Sequence, residues 1–255
     1  MCYDDQALPP DPPGGGGAAQ GQDLVLTAED GTRFAAYQAM PERVAPAQVL
    51  IYPDVRGLHN FYKALALRFA EVGYAALAID YFGRTAGLTA RDESFEFMPH
   101  VQQITLESFE QDVQAALAHM RIPGQPATVF VVGFCMGGGL TLMTGTNPEH
   151  SFAGLIPFYS GLSRAYGERG TALENARLIR YPVLGHFGGD DPGIPPESVE
   201  ALDRQLDEAG VEHQLIVYPG APHSFFDRRA SDFAEASAQA WQSTLGFIRA
   251  HSATD

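Results

Sequence analysis

The chain has 255 residues, and its 31 acidic and 16 basic residues give a formal net charge of −15. This length suits a single domain with a substantial core, and the acidic charge argues against nucleic acid and anionic membranes as partners. The two cysteines, Cys2 and Cys135, are too few for a disulfide framework and favour a reducing, cytoplasmic compartment. No apolar run reaches the roughly 18 residues of a membrane span, and the acidic first residues do not resemble a signal peptide.

Residues 1–22 combine two pairs of prolines with a run of four glycines, a composition that predicts a flexible N-terminal tail. One domain is expected over residues 23–255, because no further linker or repeat interrupts the chain. The domain opens with strands at 23–28 and 33–38. They are joined through Asp30-Gly31, a dipeptide favoured in hairpin turns.

Apolar strands and amphipathic helices alternate along the rest of the chain. The strands are predicted at residues 48–52, 74–79, 128–132, 152–157, 182–187 and 213–218, and the helices at 61–72, 104–121, 138–145, 198–209 and 232–250. Such alternation implies right-handed crossovers. The predicted fold class is therefore α/β, with a mostly parallel central sheet flanked by helices on both faces. In such sheets, active sites gather at the carboxyl ends of the strands.

Residues 127–140 read ATVFVVGFCMGGGL and predict a buried strand, a sharp turn and a helix. Gly133 and Gly137 stand two residues before and after Cys135, which is the spacing of a nucleophile elbow. Glycine is needed there because the helix leaves close to the strand, where a Cβ would intrude. A thiolate is a good nucleophile, and a helix N-terminus favours it. A small buried cysteine in a glycine-rich turn fits the motif equally well.

A nucleophilic thiol needs a base, and the base needs an orienting acid. His223 follows the last predicted strand, and Asp190 and Asp191 follow the strand at 182–187. Nucleophile, acid and histidine thus come in the chain order of this type of site. A solvated turn aspartate and a surface histidine are the alternative. We favour catalysis because all three groups stand at strand ends in that order.

An acyl-transfer site also needs hydrogen-bond donors for an oxyanion. The amide of Met136 is one candidate. The second lies in the loop after the third strand, where Val55 or Arg56 would supply it. The chain has no clustered spacing of histidines and aspartates typical of a metal ligand set, so we expect neither a metal nor a cofactor.

The chain resembles the dienelactone hydrolase family, within the α/β-hydrolase fold, over about residues 24–250. The matching segments, in order, are Pro53-Asp54-Val55-Arg56-Gly57-Leu58, Gly73-Tyr74-Ala75-Ala76, Asp80-Tyr81-Phe82-Gly83-Arg84, Gly133-Phe134-Cys135-Met136-Gly137-Gly138, Gly188-x-x-Asp191-x-x-Ile194-Pro195 and Tyr218-x-x-Ala221-x-His223-Ser224-Phe225. The cysteine elbow and the ordered acid and histidine turns are the most specific of them.

The resemblance implies a Cys135–His223–Asp191 triad that opens an enol-lactone through a thioester-type acyl-enzyme. It selects Asp191 over Asp190, because the acid turn of the family reads Asp-x-x-Val/Ile-Pro. In the family a carboxylate after the third strand assists ionisation of the thiol. That residue is usually glutamate, and Asp54, one methylene shorter, stands in its place here.

The family also binds the substrate carboxylate with arginines, and Arg84 matches one of them. The second family arginine lies four residues after the histidine. This chain has Asp227 at that position, followed by Arg228 and Arg229.

We therefore expect a hydrolase that acts on a small-molecule lactone or ester, first of all a carboxylated lactone. A general carboxylesterase or thioesterase is one alternative. A non-catalytic, thiol-sensing protein on the same fold is another. The sequence leaves open whether the protein is a monomer or a homo-oligomer.

Overall fold

Eight strands form one sheet in the computed structural model, which describes residues 6–121, 123–124 and 127–252. In chain order they are β1 (Ala19–Thr27), β2 (Arg33–Pro41), β3 (Ala47–Tyr52), β4 (Ala75–Ile79), β5 (Thr128–Phe134), β6 (Gly154–Phe158), β7 (Val183–Gly188) and β8 (His213–Tyr218). Their order across the sheet is β1-β2-β4-β3-β5-β6-β7-β8. The pairs β1–β2 and β2–β4 are antiparallel, and every pair from β4 to β8 is parallel.

The α-helices of the described residues lie on both faces of this sheet. They are α1 (Asn60–Glu71), α2 (Gly83–Ala86), α3 (Met98–Val101), α4 (Leu106–Met120), α5 (Met136–Thr144), α6 (Ala172–Asn175), α7 (Pro196–Glu208) and α8 (Ala234–His251). The chain winds from β3 to β4 in one direction and from β4 to β5 in the other, so right-handed crossovers put α1 and α4 on opposite faces. None of these helices is long and apolar enough to cross a membrane. The predicted architecture is confirmed.

Helices pack against each face in a separate group. On one face α1 meets α8, where the rings of Phe69 and Trp241 lie 4.8 Å apart, edge to face. On the other face α4 contacts α5, which in turn packs on β3, β5 and β6. All six residues of β3 are buried, as expected for a strand covered on both faces. The centre of the sheet is thus buried between the two groups of helices.

The first strand begins at Ala19, four residues before the predicted domain start. Part of the predicted tail contacts the domain: the indole Nε1–H of Trp241 donates to the carbonyl of Pro10 at 2.9 Å. Arg68 also pairs with Asp11 at 2.7 Å. Residues 1–5, with Cys2, and residues 253–255 lie outside the described residues. Flexibility of the tail stays a prediction.

Three four-residue helices, α2, α3 and α6, have no counterpart in the sequence analysis. A single helical turn is too short to show a repeat in hydrophobicity. The α6 turn does carry a readable signal, a capping box in which Thr171 and Glu174 each accept a hydrogen bond from the backbone amide of the other. The longer helices and all strands lie within a few residues of their predicted positions.

Candidate active site

Cys135 occupies a strained turn between β5 and α5. Its backbone has φ 54° and ψ −112°, a region that residues with a Cβ rarely adopt. The amide of Cys135 donates to the carbonyl of Phe158 at 3.0 Å, and its carbonyl accepts from Gly139 and Gly161 at 3.2 and 3.3 Å. The side chain is partly exposed, whereas the flanking residues are buried. The turn therefore presents one thiol at the carboxyl edge of the sheet.

Close backbone contacts explain the two glycines of this turn. A Cβ on Gly137 would lie 2.1 Å from the carbonyl oxygen of Pro53 and 2.3 Å from that of Tyr52. A Cβ on Gly133 would lie 2.2 Å from the hydroxyl of Thr141. All three distances are far below van der Waals contact. The loop after β3 is thus pressed directly against the start of α5.

His223 and Asp191 are joined by a short polar contact. Nδ1 of His223 lies 2.6 Å from Oδ2 of Asp191. A carboxylate can only accept a hydrogen bond, so Nδ1 must be the donor and carries the proton. Nε2 is then the basic nitrogen of the ring. The second carboxylate oxygen accepts from the amide of Gly193 at 2.9 Å. Asp191 is 1% exposed and His223 is 25% exposed in their side chains, so the acid is shielded and the histidine remains accessible.

The two aspartates that follow β7 differ in their burial. Asp191 is buried, while the side chain of Asp190 is exposed to solvent. The backbone amide of Asp190 donates to the carbonyl of Ala221 at 2.9 Å, which ties the acid turn to the loop that carries His223. The geometry thus pairs the histidine with the aspartate that the family resemblance selects.

Tyr159 connects the cysteine turn with the histidine. It follows β6 directly, next to the residue whose carbonyl binds the amide of Cys135, and it has a positive φ of 33°. Its ring centre lies 5.0 Å from that of His223. Sequence reasoning missed this residue. Its place at the carboxyl end of a central strand, the criterion that picked out Asp191 and His223, would have indicated it.

The loop after β3 distinguishes the two candidate oxyanion donors. The amide of Arg56 donates to Oδ1 of Asp54 at 2.9 Å, and the amide of Gly57 donates to the carbonyl of Asp54 at 3.1 Å. Because the amide of Arg56 already donates to Asp54, the amide of Val55 is the candidate oxyanion donor of this loop. Met136 is the first residue of α5, and the backbone amides of the first helical turn have no acceptor within the helix.

Asp54 is buried in the loop after β3, next to a histidine. Nε2 of His59 lies 3.4 Å from Oδ1 of Asp54, and both side chains are almost fully shielded from solvent. The hydroxyl of Tyr81 donates to the carbonyl of Pro53 at 3.0 Å. Burial raises the pKa of Tyr81 well above its ordinary value, and the negative charges of Asp54 and Cys135 add to this effect. The sequence analysis missed His59.

Arg84 lies in α2, and its side chain forms hydrogen bonds with the turn between β1 and β2 and with α4. Nη1 donates to Asp30 and, at 2.7 Å, to the hydroxyl of Thr32. Nη2 donates to the carbonyl of Ser108 at 3.1 Å and to Asp112 at 2.7 Å. Burial raises the pKa of Asp112 to about 7, and the charge of Arg84 opposes this shift. These bonds tie the turn to α4, so binding of a substrate carboxylate by Arg84 stays a prediction.

Asp227 is buried at the position where the family has its second arginine. The hydroxyl of Tyr159 lies 3.4 Å from its Oδ2. Arg228 is exposed, and Arg229 pairs with Asp232 at 3.0 Å. No group of three or more His, Cys, Asp or Glu side chains within the described ranges is arranged to hold a metal ion.

Comparison with known proteins gives consistent matches over most of the chain. The sequence profile of the Dienelactone hydrolase family matches residues 34–252. A proposed carboxymethylenebutenolidase of Methylorubrum extorquens is 28% identical, over 89% of this chain and 80% of its own length. A proposed 2-oxo-3-(5-oxofuran-2-ylidene)propanoate lactonase of Bradyrhizobium is 26% identical, over 90% of this chain and 94% of its own.

A solved structure supports the same fold. The crystal structure of a proposed dienelactone hydrolase from Klebsiella pneumoniae superimposes with a TM-score of 0.78. The match covers 91% of this chain and 99% of that one, at 23% sequence identity. The fold is therefore of the α/β-hydrolase type, as the resemblance implies.

Proposed function

Because the chain belongs to the dienelactone hydrolase family, we propose that it is a lactone or ester hydrolase with Cys135 as nucleophile. His223 is its base, and Asp191 orients the histidine. The observation that carries this assignment is the contact of 2.6 Å between Nδ1 of His223 and the buried carboxylate of Asp191. With the proton on Nδ1, Nε2 is the nitrogen that would take the proton of the strand-end thiol.

The proposed reaction has two halves. In the first, Nε2 of His223 takes the thiol proton and the sulfur of Cys135 attacks the carbonyl carbon. The amides of Met136 and Val55 donate to the oxyanion of the tetrahedral intermediate. As that intermediate collapses, His223 returns the proton to the leaving oxygen, and a thioester remains on the enzyme. In the second half His223 activates water, which releases the acid and restores the thiol.

Asp54 is proposed to assist ionisation of the thiol. It lies in the loop that presses on the start of α5. A carboxylate beside a resting thiol disfavours the thiolate, because two negative charges repel. It can also accept a hydrogen bond from the resting thiol and so orient the thiol proton for transfer to His223.

A carboxylated lactone is the first substrate class that we propose, in line with the lactonase name of the Bradyrhizobium relative. A general carboxylesterase or thioesterase is the second. Two observations favour the second class: Arg84 is held by Asp30 and Asp112, and buried Asp227 stands where the family has an arginine.

A substrate panel tests the proposal. Wild type and Cys135→Ala would be assayed on a carboxylated dienelactone and on a neutral aryl ester, across a pH range. Turnover by wild type that is lost in Cys135→Ala is expected. Preference for the lactone would support the first class, and turnover of the aryl ester alone would support the second. Absence of turnover on either substrate would refute the assignment and favour a thiol-sensing role.

A further inference from the structure

Arg164 lies on the loop after β6, close to the cysteine turn. Its Nη2 donates to the carbonyl of Val101 at 2.7 Å, and its guanidinium carbon lies 5.6 Å from the ring centre of Tyr166. The hydroxyl of Tyr166 donates in turn to the carbonyl of Met136 at 3.0 Å. Met136 follows Cys135 directly, so a single buried ring separates the guanidinium from the nucleophile turn.

The bond between Arg164 and Val101 joins the loops on either side of the candidate site. Val101 belongs to the segment after β4, and Arg164 to the loop after β6. In the sheet, β4 and β6 flank the pair β3–β5, whose carboxyl ends carry Val55 and Cys135. A contact between the two flanking loops therefore spans the strand ends where the substrate carbonyl would lie.

Arg164 differs from Arg84 and Arg91 in its charge balance. Arg84 pairs with Asp30 and Asp112, and Arg91 pairs with Asp80 at 2.9 Å. Within the described part of the chain Arg164 has no carboxylate at ion-pair distance, and its Nε is buried without an acceptor. A guanidinium that is partly shielded and lacks an anionic partner favours a carboxylate ligand, which accepts two parallel hydrogen bonds.

We propose that Arg164, rather than Arg84, binds the carboxylate of an anionic lactone or ester substrate. The inference rests on the proposed function, since it assigns a specificity residue to the same site. Arg164 holds the carboxylate from the loop after β6, while the carbonyl to be attacked lies over Cys135. Arg84 serves the fold by joining the β1–β2 turn to α4.

A matched pair of substrates tests this assignment: a lactone with a free carboxylate and its neutral methyl ester. We expect wild type to prefer the carboxylate form. In Arg164→Gln, kcat/KM for that form should fall about tenfold or more, mainly through KM, because a charge-assisted pair is lost. The methyl ester should be hydrolysed at a rate within about twofold of wild type. Arg164→Lys should recover part of the preference, since it keeps the charge.

Arg169→Gln is the control, because Arg169 lies on the same loop with its side chain 42% exposed. It should keep the substrate preference of wild type, and thermal unfolding should show that all variants are folded. Equal use of both substrates by wild type would overturn the role of Arg164 while leaving the hydrolase assignment intact. Loss of preference in Arg84→Gln instead of Arg164→Gln would overturn it too. Failure of wild type on both substrates would remove the proposed function and this inference together.

Discussion

His223 and Asp191 meet at 2.6 Å through Nδ1 and Oδ2, although they are 32 residues apart in the chain. Two adjacent parallel strands, β7 and β8, bring their loops together, and the Asp190–Ala221 backbone bond fixes the loops to each other. The histidine is thereby held in one tautomer, with its proton on Nδ1 and Nε2 as the basic nitrogen. This pairing is the structural basis of the proposed hydrolase.

Asp191→Asn is expected to reduce kcat by about 10³- to 10⁴-fold, since the amide no longer holds the required tautomer. The adjacent Asp190→Asn is a matched control, because Asp190 is exposed and should retain nearly full activity. Steady-state kinetics on an aryl ester measure both. Equal loss in the two variants would argue against a specific role for Asp191.

Gly137→Ala is expected to destabilise the protein by about 3 kcal/mol, because the new methyl group would meet the carbonyls of Tyr52 and Pro53. Gly246→Ala is the control. Gly246 lies inside α8 with open space around it, so alanine should stabilise by about 0.5–1 kcal/mol. Chemical denaturation of the two variants measures the difference. A stable Gly137→Ala protein would contradict the close approach of β3 and α5.

His186 should make folding stability depend on pH. It is fully buried between Tyr218 and Thr244, and burial lowers its pKa from 6.5 to about 3. Below pH 6.5 the unfolded chain gains a proton that the folded protein does not bind, so stability falls as pH falls. Relative to His186→Gln, wild type should lose about 1.4 kcal/mol per pH unit below about pH 6.

Above about pH 7.5 the difference between wild type and His186→Gln should not change with pH, because His186 is then neutral in both states. Denaturant titrations from pH 5 to 8 would show this. A difference that stays constant over the whole range would contradict the burial of a neutral His186. Using the difference cancels the titration of other groups, including His150, whose pKa burial lowers to about 4.

Asp54→Asn should change thiol reactivity and turnover in opposite directions. Loss of the negative charge favours the thiolate of Cys135, so alkylation by iodoacetamide at pH 7 should be several-fold faster without substrate. Turnover should fall about tenfold, because the carboxylate that orients the thiol proton for transfer to His223 is lost. Asp54→Glu keeps the charge and should retain both properties. If neither rate changed in Asp54→Asn, Asp54 would be a structural residue of its loop.

Local sequence patterns predicted much of the fold and many of the candidate site residues. The buried strands β3 to β7 are short apolar runs, and each amphipathic helix has a clear repeat, so the alternating order was predictable. The glycine spacing selected Cys135 as a candidate, and the strand-end rule selected His223 and the Asp190–Asp191 pair, without structural information. These features depend on neighbours in sequence or on a general rule of parallel sheets.

Features that depend on distant contacts were not predictable in the same way. The bonds of Arg84 to Asp30 and Asp112 join residues 54 and 28 positions apart, and no local pattern reports them. The contact of Trp241 with Pro10, across 231 positions, is of the same kind. Arg164 and Tyr166 lie in an irregular loop, where hydrophobic periodicity gives no signal. Their place beside Met136 depends on packing alone.

The most direct test of the nucleophile is to trap the acyl-enzyme. Wild type would be mixed with an activated aryl ester and quenched in acid on the millisecond time scale, and its mass would be compared with that of Cys135→Ala. We predict one added acyl group on the peptide that contains Cys135, and neither the adduct nor turnover in Cys135→Ala. Turnover by Cys135→Ala at the wild-type rate, or an adduct on another residue, would contradict the assignment.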